Sequence, residues 1–427
     1  MNKELFDYIS ASPTPFHAVA HSAALLREAG YTALSEGDDW ALEPGRGYYV
    51  TRNGSSILAF RIPEGGVRGF MITAAHCDSP CFRIKENAEV EGKGFLSLST
   101  EVYGGMIYST WLDRPLSAAG RVMVRTERGI ETRLVDFREP IAVIPNVAIH
   151  MNRSANKDTN YNPAIDLIPL YGGEKGSFRA RVAALAGAEE SAVVSTDLYL
   201  YNPQAGTLWG DYISAPRLDD LQCAYSSLRA FLDAKDGGSV PVCVIFDNEE
   251  VGSHTKQGAA STFLRDVLSR IGESFGLTGG AFRRLLAHSF MLSCDNAHSI
   301  HPNHGEYADR NHTVRMNGGV VIKYNASQRY TSDAVSAALF TLICDEAGVP
   351  VQRYANRPDI PGGGTLGNIS NTQVSLNTVD IGLAQLAMHS SFETAGAHDT
   401  ESMVRALTRF FEKSVAMERD GVYTLIG

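Results

Sequence analysis

Four short, mostly apolar runs in this sequence each lead into a polar or charged side chain. The runs are residues 70–74, 242–246, 290–293 and 319–322, and they lead into His76, Asp247, Asp295 and Lys323. A run of this kind is typical of a buried strand, which delivers the side chain beyond its end to a cleft. Because strand and helix patterns alternate through much of the chain, the sequence predicts an α/β fold.

A helix is predicted near the start of the chain, with Thr14 as its cap, Pro15 at its first position and Gly30 at its stop. His17 and His21 lie on one face of this helix. Two histidines at this spacing can bind a metal, but no carboxylate lies between them to act as a base. We therefore interpret them as ordinary helix residues.

Two further local patterns are informative. Asn53-Gly54 lies between two strand-like runs and predicts a β-hairpin. Farther along, apolar residues at helical spacing predict a helix with one buried side. That side is marked by Val335, Ala338, Leu339 and Leu342.

The pattern changes between about residue 84 and residue 202, where strand-like pieces alternate with polar turns. We predict two domains, one formed by residues 1–84 and 203–427 and the other by a β-rich insertion of residues 85–202. Within the insertion, the polar stretch 152–163 follows His150 and predicts a long exposed loop. Such a loop is either functional or a plain surface linker.

Composition excludes several classes of protein. The net charge of -10 and the lack of a basic run argue against a nucleic-acid partner. No run approaches the roughly 18 apolar residues of a membrane span, and the first residues do not form an apolar signal segment. We therefore expect no membrane association and a cytoplasmic location.

The six cysteines include no Cys-x-x-Cys pair, and several lie within apolar runs. We interpret them as reduced, buried residues. Cys77 and Cys81 lie close to His76, so a zinc site with thiolate ligands is an alternative. Their four-residue spacing and the lack of a second cysteine pair argue against it.

Glu249 and Glu250 are adjacent and follow the apolar run 242–246. Two neighbouring carboxylates repel each other unless a proton or a cation neutralises them. If Glu250 binds a metal ion, Glu249 is left in position to act as a general base. The alternative is a solvated turn, because paired glutamates are common on surfaces.

Histidine and carboxylate residues from other segments complete the pattern. Asp78 can orient the ring of His76, because residues two apart in an extended segment share a face. Asp219 opens a predicted helix and is placed to bridge two cations, whereas Asp220 is interpreted as a helix-start residue. We propose that one ion binds His76, Asp219 and Asp295, and that the other binds Asp219, Glu250 and His389.

Two ions about 3.5–4 Å apart acidify a shared water and polarise a carbonyl, which makes peptide hydrolysis feasible. Glu249 would take the proton of the attacking water and return it to the leaving amine. Any one of these side chains, taken singly, is more often a satisfied core or cap residue, and it is their joint arrangement that favours a metal site.

Several motifs make the chain resemble the M18 family of metalloaminopeptidases, the aspartyl aminopeptidases of the larger group of co-catalytic zinc exopeptidases. They are HCDSP (76–80), PNVAIH (145–150), SAPRLD (214–219), NEEVGS (248–253), His298 with HPN (301–303), Lys323 with Arg329-Tyr330, and QLAMHS (385–390). The segments 361–367 and Ser391-Phe392 differ from the commoner family versions.

This resemblance implies metal ligands at His76, Asp219, Glu250, Asp295 and His389, a base at Glu249 and an assisting acid at Asp78. It implies two divalent ions per subunit, with Zn2+ expected first and Co2+ or Mn2+ as alternatives at one site. It also implies a catalytic domain with a mixed central sheet flanked by helices, interrupted by a dimerisation domain. The expected assembly is a homo-oligomer, a dodecamer built from dimers, in which His150 reaches the site of a neighbouring subunit.

The resemblance further implies a substrate pocket formed by His298, Lys323, Tyr330 and Met388. Lys323 would meet an acidic side chain at the N-terminal residue of a peptide, so the expected substrates carry N-terminal Asp or Glu. Alternatively, Lys323 is solvated and the same chemistry acts on neutral N-terminal residues. A catalytically silent, self-assembling scaffold is the alternative from another class, and loss of a ligand or of Glu249 would favour it.

Overall fold

The computed structural model describes residues 1–157 and 160–427. Within these residues nine α-helices are formed: α1 (Asn2–Ser10), α2 (Pro15–Glu28), α3 (Ser177–Leu185), α4 (Leu218–Asp233), α5 (Phe263–Ser274), α6 (Gly279–Ala287), α7 (Ala334–Ala347), α8 (Leu366–Ser370) and α9 (Asp399–Phe411).

The first strands in chain order are β1 (Thr32–Leu34), β2 (Gly47–Arg52), β3 (Ser56–Arg61), β4 (Phe70–His76), β5 (Cys81–Gly92), β6 (Phe95–Tyr103), β7 (Ser117–Thr126), β8 (Gly129–Asp136), β9 (Ala142–Val143), β10 (Leu170–Tyr171), β11 (Val193–Tyr201) and β12 (Thr207–Trp209). The remaining strands are β13 (Tyr212–Ala215), β14 (Val240–Phe246), β15 (Phe290–Cys294), β16 (Ala297–His298), β17 (Val320–Tyr324), β18 (Val351–Ala355), β19 (Asn377–Gly382), β20 (Ala384–Leu386), β21 (Glu393–Gly396), β22 (Ser414–Arg419) and β23 (Val422–Ile426).

The largest sheet has nine strands in the order β1-β2-β3-β14-β4-β15-β19-β17-β18. Its centre is parallel, because β4 pairs in parallel with both β14 and β15, and β15 pairs in parallel with β19. Antiparallel pairs at β3-β14 and β17-β19 make the whole sheet mixed.

Helices cover both faces of this sheet. Alternate residues of β4 point to opposite faces, so Met71 packs in the core that contains α4 and α9, and Ile72 packs in the core that contains α5. A strand covered on both faces is mostly apolar, and every residue of β4 is buried, including Thr73 and His76. The predicted α/β fold with a mixed sheet flanked by helices is confirmed.

A second sheet of seven strands has the order β8-β7-β11-β5-β6-β10-β9, with antiparallel pairing throughout. Its strands lie between Cys81 and Tyr201, and helix α3 packs Phe178 and Val182 into a separate core. The division into domains at residues 84 and 203 stays a prediction. Of the predicted polar loop 152–163, residues 158 and 159 lie outside the described residues, and the others form turns and irregular segments.

A smaller sheet of five strands has the order β12-β13-β21-β20-β16. β13 and β21 pair antiparallel, with Ala215 opposite Glu393. This sheet positions the segments that precede Asp219 and surround His389. β22 and β23 form a separate hairpin at the end of the chain.

Several local predictions can be compared with the structure. α2 begins at Pro15 after Thr14, and the chain reaches a positive φ of 86° at Gly30. The Asn53-Gly54 hairpin joins β2 and β3, and both turn residues have positive φ as a tight hairpin requires. Among the described residues, no helix combines the length and apolar character needed to cross a bilayer.

The predicted face of α7 is wrong in part. Leu342 has 54% of its surface exposed, whereas Phe340 and Ile343 are fully buried. α7 packs on α9 and near β19, which places the buried face about one residue away from the predicted one.

Candidate active site

Three neighbouring strands of the nine-stranded sheet end at one edge. His76 is the last residue of β4, and the Glu249–Val251 turn of 3-10 helix follows β14. Asp295 comes directly after β15. Because these strands are parallel, their carboxyl ends open into a common crevice. The fold thereby brings an imidazole and three carboxylates together from segments more than 40 residues apart.

Asp219 and His389 reach the same crevice from the five-stranded sheet. Asp219 lies at the start of α4, shortly after β13, and is 3% exposed. His389 lies between β20 and β21 with a φ of 67°, in the left-handed region. Its ring Nδ1 lies 2.7 Å from the carbonyl oxygen of Gly105, which directs Nε2 into the crevice.

Asp219 lies between the two imidazoles. His76 Nε2 is 3.6 Å from Asp219 Oδ1, and His389 Nε2 is 3.5 Å from Asp219 Oδ2. His76 Nε2 is also 4.0 Å from Asp295 Oδ1, and His389 Nε2 is 3.3 Å from Glu250 Oε2. Each oxygen of the Asp219 carboxylate therefore faces a different group of donor atoms.

The described residues contain three groups whose donor atoms all lie within 4.8 Å of one another. They are His76 with Asp219 and Asp295, Asp219 with Glu250 and His389, and His76 with Glu249 and Glu250. The first two are the two ligand sets predicted from the sequence, and they share Asp219.

The donor chemistry fits divalent metal ions. Asp219 Oδ1 and Glu250 Oε1 are buried and have no hydrogen-bond partner among the described residues. Buried carboxylate oxygens are costly unless they are paired or coordinate a metal. Imidazole nitrogen and carboxylate oxygen are the usual zinc ligands besides thiolate. Burial, and then repulsion by the nearby Asp219 carboxylate, raise the pKa of Glu250 well above its ordinary value. A bound cation would offset both effects by stabilising the ionised carboxylate.

The Asp78 carboxylate holds the turn that carries the two glutamates. Its Oδ1 accepts a hydrogen bond from the backbone N–H of Glu249 at 3.0 Å, and its Oδ2 accepts one from that of Glu250 at 3.1 Å. The Nδ1 of His76 lies 3.1 Å from the Asp78 backbone carbonyl and 3.3 Å from its carboxylate. Asp78 therefore contacts the imidazole and both glutamate amides.

Glu249 faces the same crevice. Burial raises its pKa to about 7, with Asp295 and Asp78 adding to the increase and His76 opposing it. A carboxyl group in this range can exchange a proton near neutral pH.

Asp220 does more than start a helix. It is fully buried, and its Oδ2 accepts a hydrogen bond from the backbone N–H of His76 at 3.1 Å. The sequence interpretation missed this contact because nothing in the local pattern relates residues 76 and 220.

A cavity of about 410 Å³ opens onto the ligand groups. The four predicted substrate residues, His298, Lys323, Tyr330 and Met388, all line it. Lys323 is 2% exposed, so it is not solvated. Its Nζ donates to the backbone carbonyl of Asp295 at 2.8 Å and lies 3.3 Å from Asp295 Oδ2.

Other candidates lie elsewhere. His150 is exposed and does not line this cavity within the single chain. His17 lies 2.8 Å from the Thr14 hydroxyl and His21 packs beside Tyr8, and neither joins a ligand group among the described residues. All six cysteines are free, and none belongs to such a group.

Two site residues were missed by the sequence interpretation. The hydroxyl of Tyr103, at the end of β6, donates to Asp78 Oδ2 at 2.7 Å. The buried carboxylate of Glu393 accepts from the backbone N–H groups of Asp219 and His389. Glu393 is the one charged residue of the short strand β21, which was the one sequence signal for it, and Tyr103 gave none.

An α/β sheet with clustered imidazole and carboxylate donors at its carboxyl edge is the architecture of a metal-dependent hydrolase. Comparison with known proteins identifies the family. The sequence model of the Aminopeptidase I zinc metalloprotease (M18) family matches residues 8–411. The chain belongs to the M18 family of aminopeptidases, which are zinc metallopeptidases.

Curated relatives and solved structures agree with this assignment. A probable M18 family aminopeptidase 2 from Clostridium acetobutylicum is 43% identical over 423 residues, which cover 96% of this chain and 98% of the relative. The protein of the same name from Pseudomonas paraeruginosa is 42% identical over 428 residues, covering 97% and 98%.

Two solved structures show how far the fold is shared. A chain of the Ape4 and Nbr1 complex is 35% identical, with a TM-score of 0.92 over 96% of this chain and 85% of that chain. A chain of the S. cerevesiae mApe1 dodecamer is 27% identical, with a TM-score of 0.85 over 96% of both chains.

Proposed function

We propose that the protein is a binuclear aminopeptidase that removes the N-terminal residue of peptides. The observation that carries the proposal is the pair of ligand groups that share Asp219. In this proposal His76, Asp219 and Asp295 hold one ion, and Asp219, Glu250 and His389 hold the other. Zn2+ is the expected ion at both positions, with Co2+ or Mn2+ as alternatives at one of them.

Divalent ions bound to these residues supply Lewis-acid charge for attack of water on a peptide carbonyl. Glu249 is the proposed general base, which takes a proton from the attacking water and returns it to the leaving amine nitrogen. Its backbone is fixed by Asp78, and its carboxyl group lines the cavity. Asp78 assists by holding His76 and the Glu249-Glu250 turn in place.

The proposed substrates carry an acidic N-terminal residue. Lys323 brings a positive charge into the cavity. Burial lowers its pKa, but Asp295, Tyr330 and Asp380 outweigh burial and keep the pKa above the ordinary value. Tyr330 lies under the ammonium, with Nζ 5.0 Å from the ring centre. A substrate carboxylate would find a charge partner there, and a neutral side chain would not.

One observation favours the second candidate, preference for neutral N-terminal residues. The ammonium of Lys323 already has a carboxylate partner in Asp295. If that pairing persists with substrate bound, Lys323 is a positioning residue for Asp295 and does not select acidic substrates. Comparison of kcat/KM for aspartyl, glutamyl and leucyl anilides decides between the two, since a leucyl preference would remove the role in specificity.

The site itself is tested by metal analysis and anilide turnover before and after chelation, on the parent and on Glu249→Gln. The variant should retain about two ions per chain but lose nearly all turnover, because glutamine cannot accept the proton. Glu401→Gln, an exposed glutamate in α9, is the matched control and should behave as the parent does. Turnover that survives removal of metal would disprove the proposal, and full turnover in Glu249→Gln would disprove the assignment of the base.

We also propose a homo-oligomer, a dodecamer built from dimers, in which the predicted insertion of residues 85–202 forms the dimer contact. The similarity to the mApe1 dodecamer supports this proposal. His150 is exposed on the insertion, where it is free to reach a neighbouring subunit. Light scattering with sedimentation would measure the oligomeric state, and a monomer at micromolar concentration would contradict the proposed dodecamer. A cytoplasmic location also stays a prediction.

A further inference from the structure

Glu393 is a buried carboxylate that connects two of the proposed metal ligands through their backbones. It is 1% exposed. Its Oε2 accepts a hydrogen bond from the backbone N–H of Asp219 at 3.0 Å, and its Oε1 accepts one from the backbone N–H of His389 at 2.7 Å. One side chain therefore fixes the relative position of two segments that are 170 residues apart in sequence.

The five-stranded sheet explains how this contact arises. Glu393 is the first residue of β21, and it lies opposite Ala215, the last residue of β13. Asp219 follows β13 by four residues, and His389 precedes β21 by four residues. The pairing of these two strands places the Glu393 side chain between both ligand segments.

Asp219 lies within the bounds of α4 but has non-helical backbone angles, φ -83° and ψ 109°, and His389 lies in the connection between β20 and β21. Arg217 has a φ of 55° and His389 has a φ of 67°, so both lie in the left-handed region that non-glycine residues seldom adopt. Amide groups in such irregular segments need partners from outside the segment. Glu393 supplies that partner for the amide of each ligand.

The two ligands held in this way belong to one metal group. Asp219 and His389 form it together with Glu250. We infer that Glu393 is a positioning residue that sets the separation of Asp219 and His389, and so the affinity and geometry of the metal ion between them. It acts through backbone amides and does not contact the ion. This inference rests on the proposed binuclear site.

Carboxylate chemistry is required for this role. A carboxylate accepts hydrogen bonds on both oxygens, whereas a glutamine of the same shape accepts on one and places its NH2 group against the other N–H. Glu393→Gln therefore keeps the side-chain volume but places an NH2 donor against one of the two backbone N–H donors. Removal of an outer partner of a metal ligand typically weakens metal binding about 10–100-fold.

Asp399 provides a matched control. It is also 1% exposed, and it accepts from two backbone N–H groups, those of Asn317 at 2.6 Å and Gly319 at 3.1 Å. Neither of these partners belongs to a ligand group. Asp399→Asn thus makes the same chemical change to a buried carboxylate that holds other backbone segments.

The experiment measures Zn2+ affinity by competition with a chromogenic chelator, together with the visible absorption spectrum of the Co2+-loaded protein. In Glu393→Gln at least one ion should be held about 10–100-fold more weakly, and the Co2+ spectrum should change. Asp399→Asn should match the parent in both measurements, even if its thermal stability changes. If Glu393 had only a structural role, Glu393→Gln would lower thermal stability but leave the Zn2+ affinity and the Co2+ spectrum unchanged.

Circular dichroism checks that each variant folds. Should Glu393→Gln not fold, Glu393→Asp replaces it, because its shorter carboxylate cannot reach both amides and should weaken metal binding in the same direction. Parent-like affinity and an unchanged Co2+ spectrum in a folded variant would overturn the inference. If the parent itself binds fewer than two ions, the proposed binuclear site fails instead, so the two failures are distinguishable.

Discussion

The hydroxyl of Tyr103 donates a 2.7 Å hydrogen bond to the carboxylate of Asp78. Tyr103 ends β6 in the seven-stranded sheet, whereas Asp78 follows β4 in the nine-stranded sheet. Asn248 donates to the same hydroxyl from the glutamate turn at 2.9 Å. The Gly105 carbonyl, two residues after Tyr103, lies 2.7 Å from His389 Nδ1. The seven-stranded sheet and the segment after it therefore contribute to the framework of the candidate site.

Tyr103→Phe should lower kcat/KM about 10–100-fold, because it removes the donor that fixes the Asp78 carboxylate under the Glu249-Glu250 turn. Steady-state kinetics on an anilide substrate measure the effect. Tyr201→Phe is the control, since the Tyr201 hydroxyl makes a similar 2.7 Å bond to Asp136 outside the ligand groups. Equal activity losses in the two variants would show that Tyr103 acts through general stability alone.

Lys323→Met should change selectivity more than activity. The variant keeps a long apolar side chain beside Tyr330 but removes the charge. Loss of a hydrogen bond to a charged group costs about 1.5–3 kcal/mol, so kcat/KM for aspartyl anilide should fall roughly tenfold to a hundredfold relative to leucyl anilide. Because Asp295 also loses its partner, the ratio of the two substrates is the informative quantity. An unchanged ratio would favour the role of Lys323 as a support for Asp295.

Asp399 gives a pH dependence of stability away from the ligand groups. Burial raises its pKa to about 6 from the ordinary 3.8, against the effect of its two backbone hydrogen bonds. The folded state therefore holds the proton more tightly, and this contribution to the unfolding free energy is complete below about pH 4 and lost as pH rises through 6. The shift corresponds to roughly 3 kcal/mol.

Asp399→Asn removes this titration. Measured by urea unfolding, the stability of the variant relative to the parent should rise by roughly 2–3 kcal/mol between pH 4 and pH 7. A difference that is constant across this range would contradict the assigned pKa.

How much the sequence predicts depends on whether a feature is local. Strand β4 contains a mostly apolar run, and the Asn53-Gly54 turn has its own signature, so both were predicted correctly. The candidate ligands His76, Glu250 and Asp295 were visible because each comes shortly after a mostly apolar run, whereas Asp219 and His389 do not. Contacts through backbone amides, such as those made by Glu393, depend on how strands pair in the five-stranded sheet. No sequence pattern encodes that pairing.

Helix α7 shows the same limit within one element. Its sequence is apolar on nearly every side, so periodicity cannot select the buried face. Contacts with α9 and β19 select it instead. Leu342 was predicted on the buried side, yet 54% of its surface is exposed, while the adjacent Ile343 is fully buried.

These two adjacent residues give a direct test of the helix orientation. Ile343→Ala should lower the free energy of unfolding by about 2–5 kcal/mol, because it leaves a cavity in the core. Leu342→Ala should change it by less than about 0.5 kcal/mol, since an exposed leucine gives up few contacts. Both substitutions have similar helix propensity effects, so each serves as the control for the other in urea unfolding. A larger loss for Leu342→Ala than for Ile343→Ala would mean that α7 is rotated towards the face predicted from sequence.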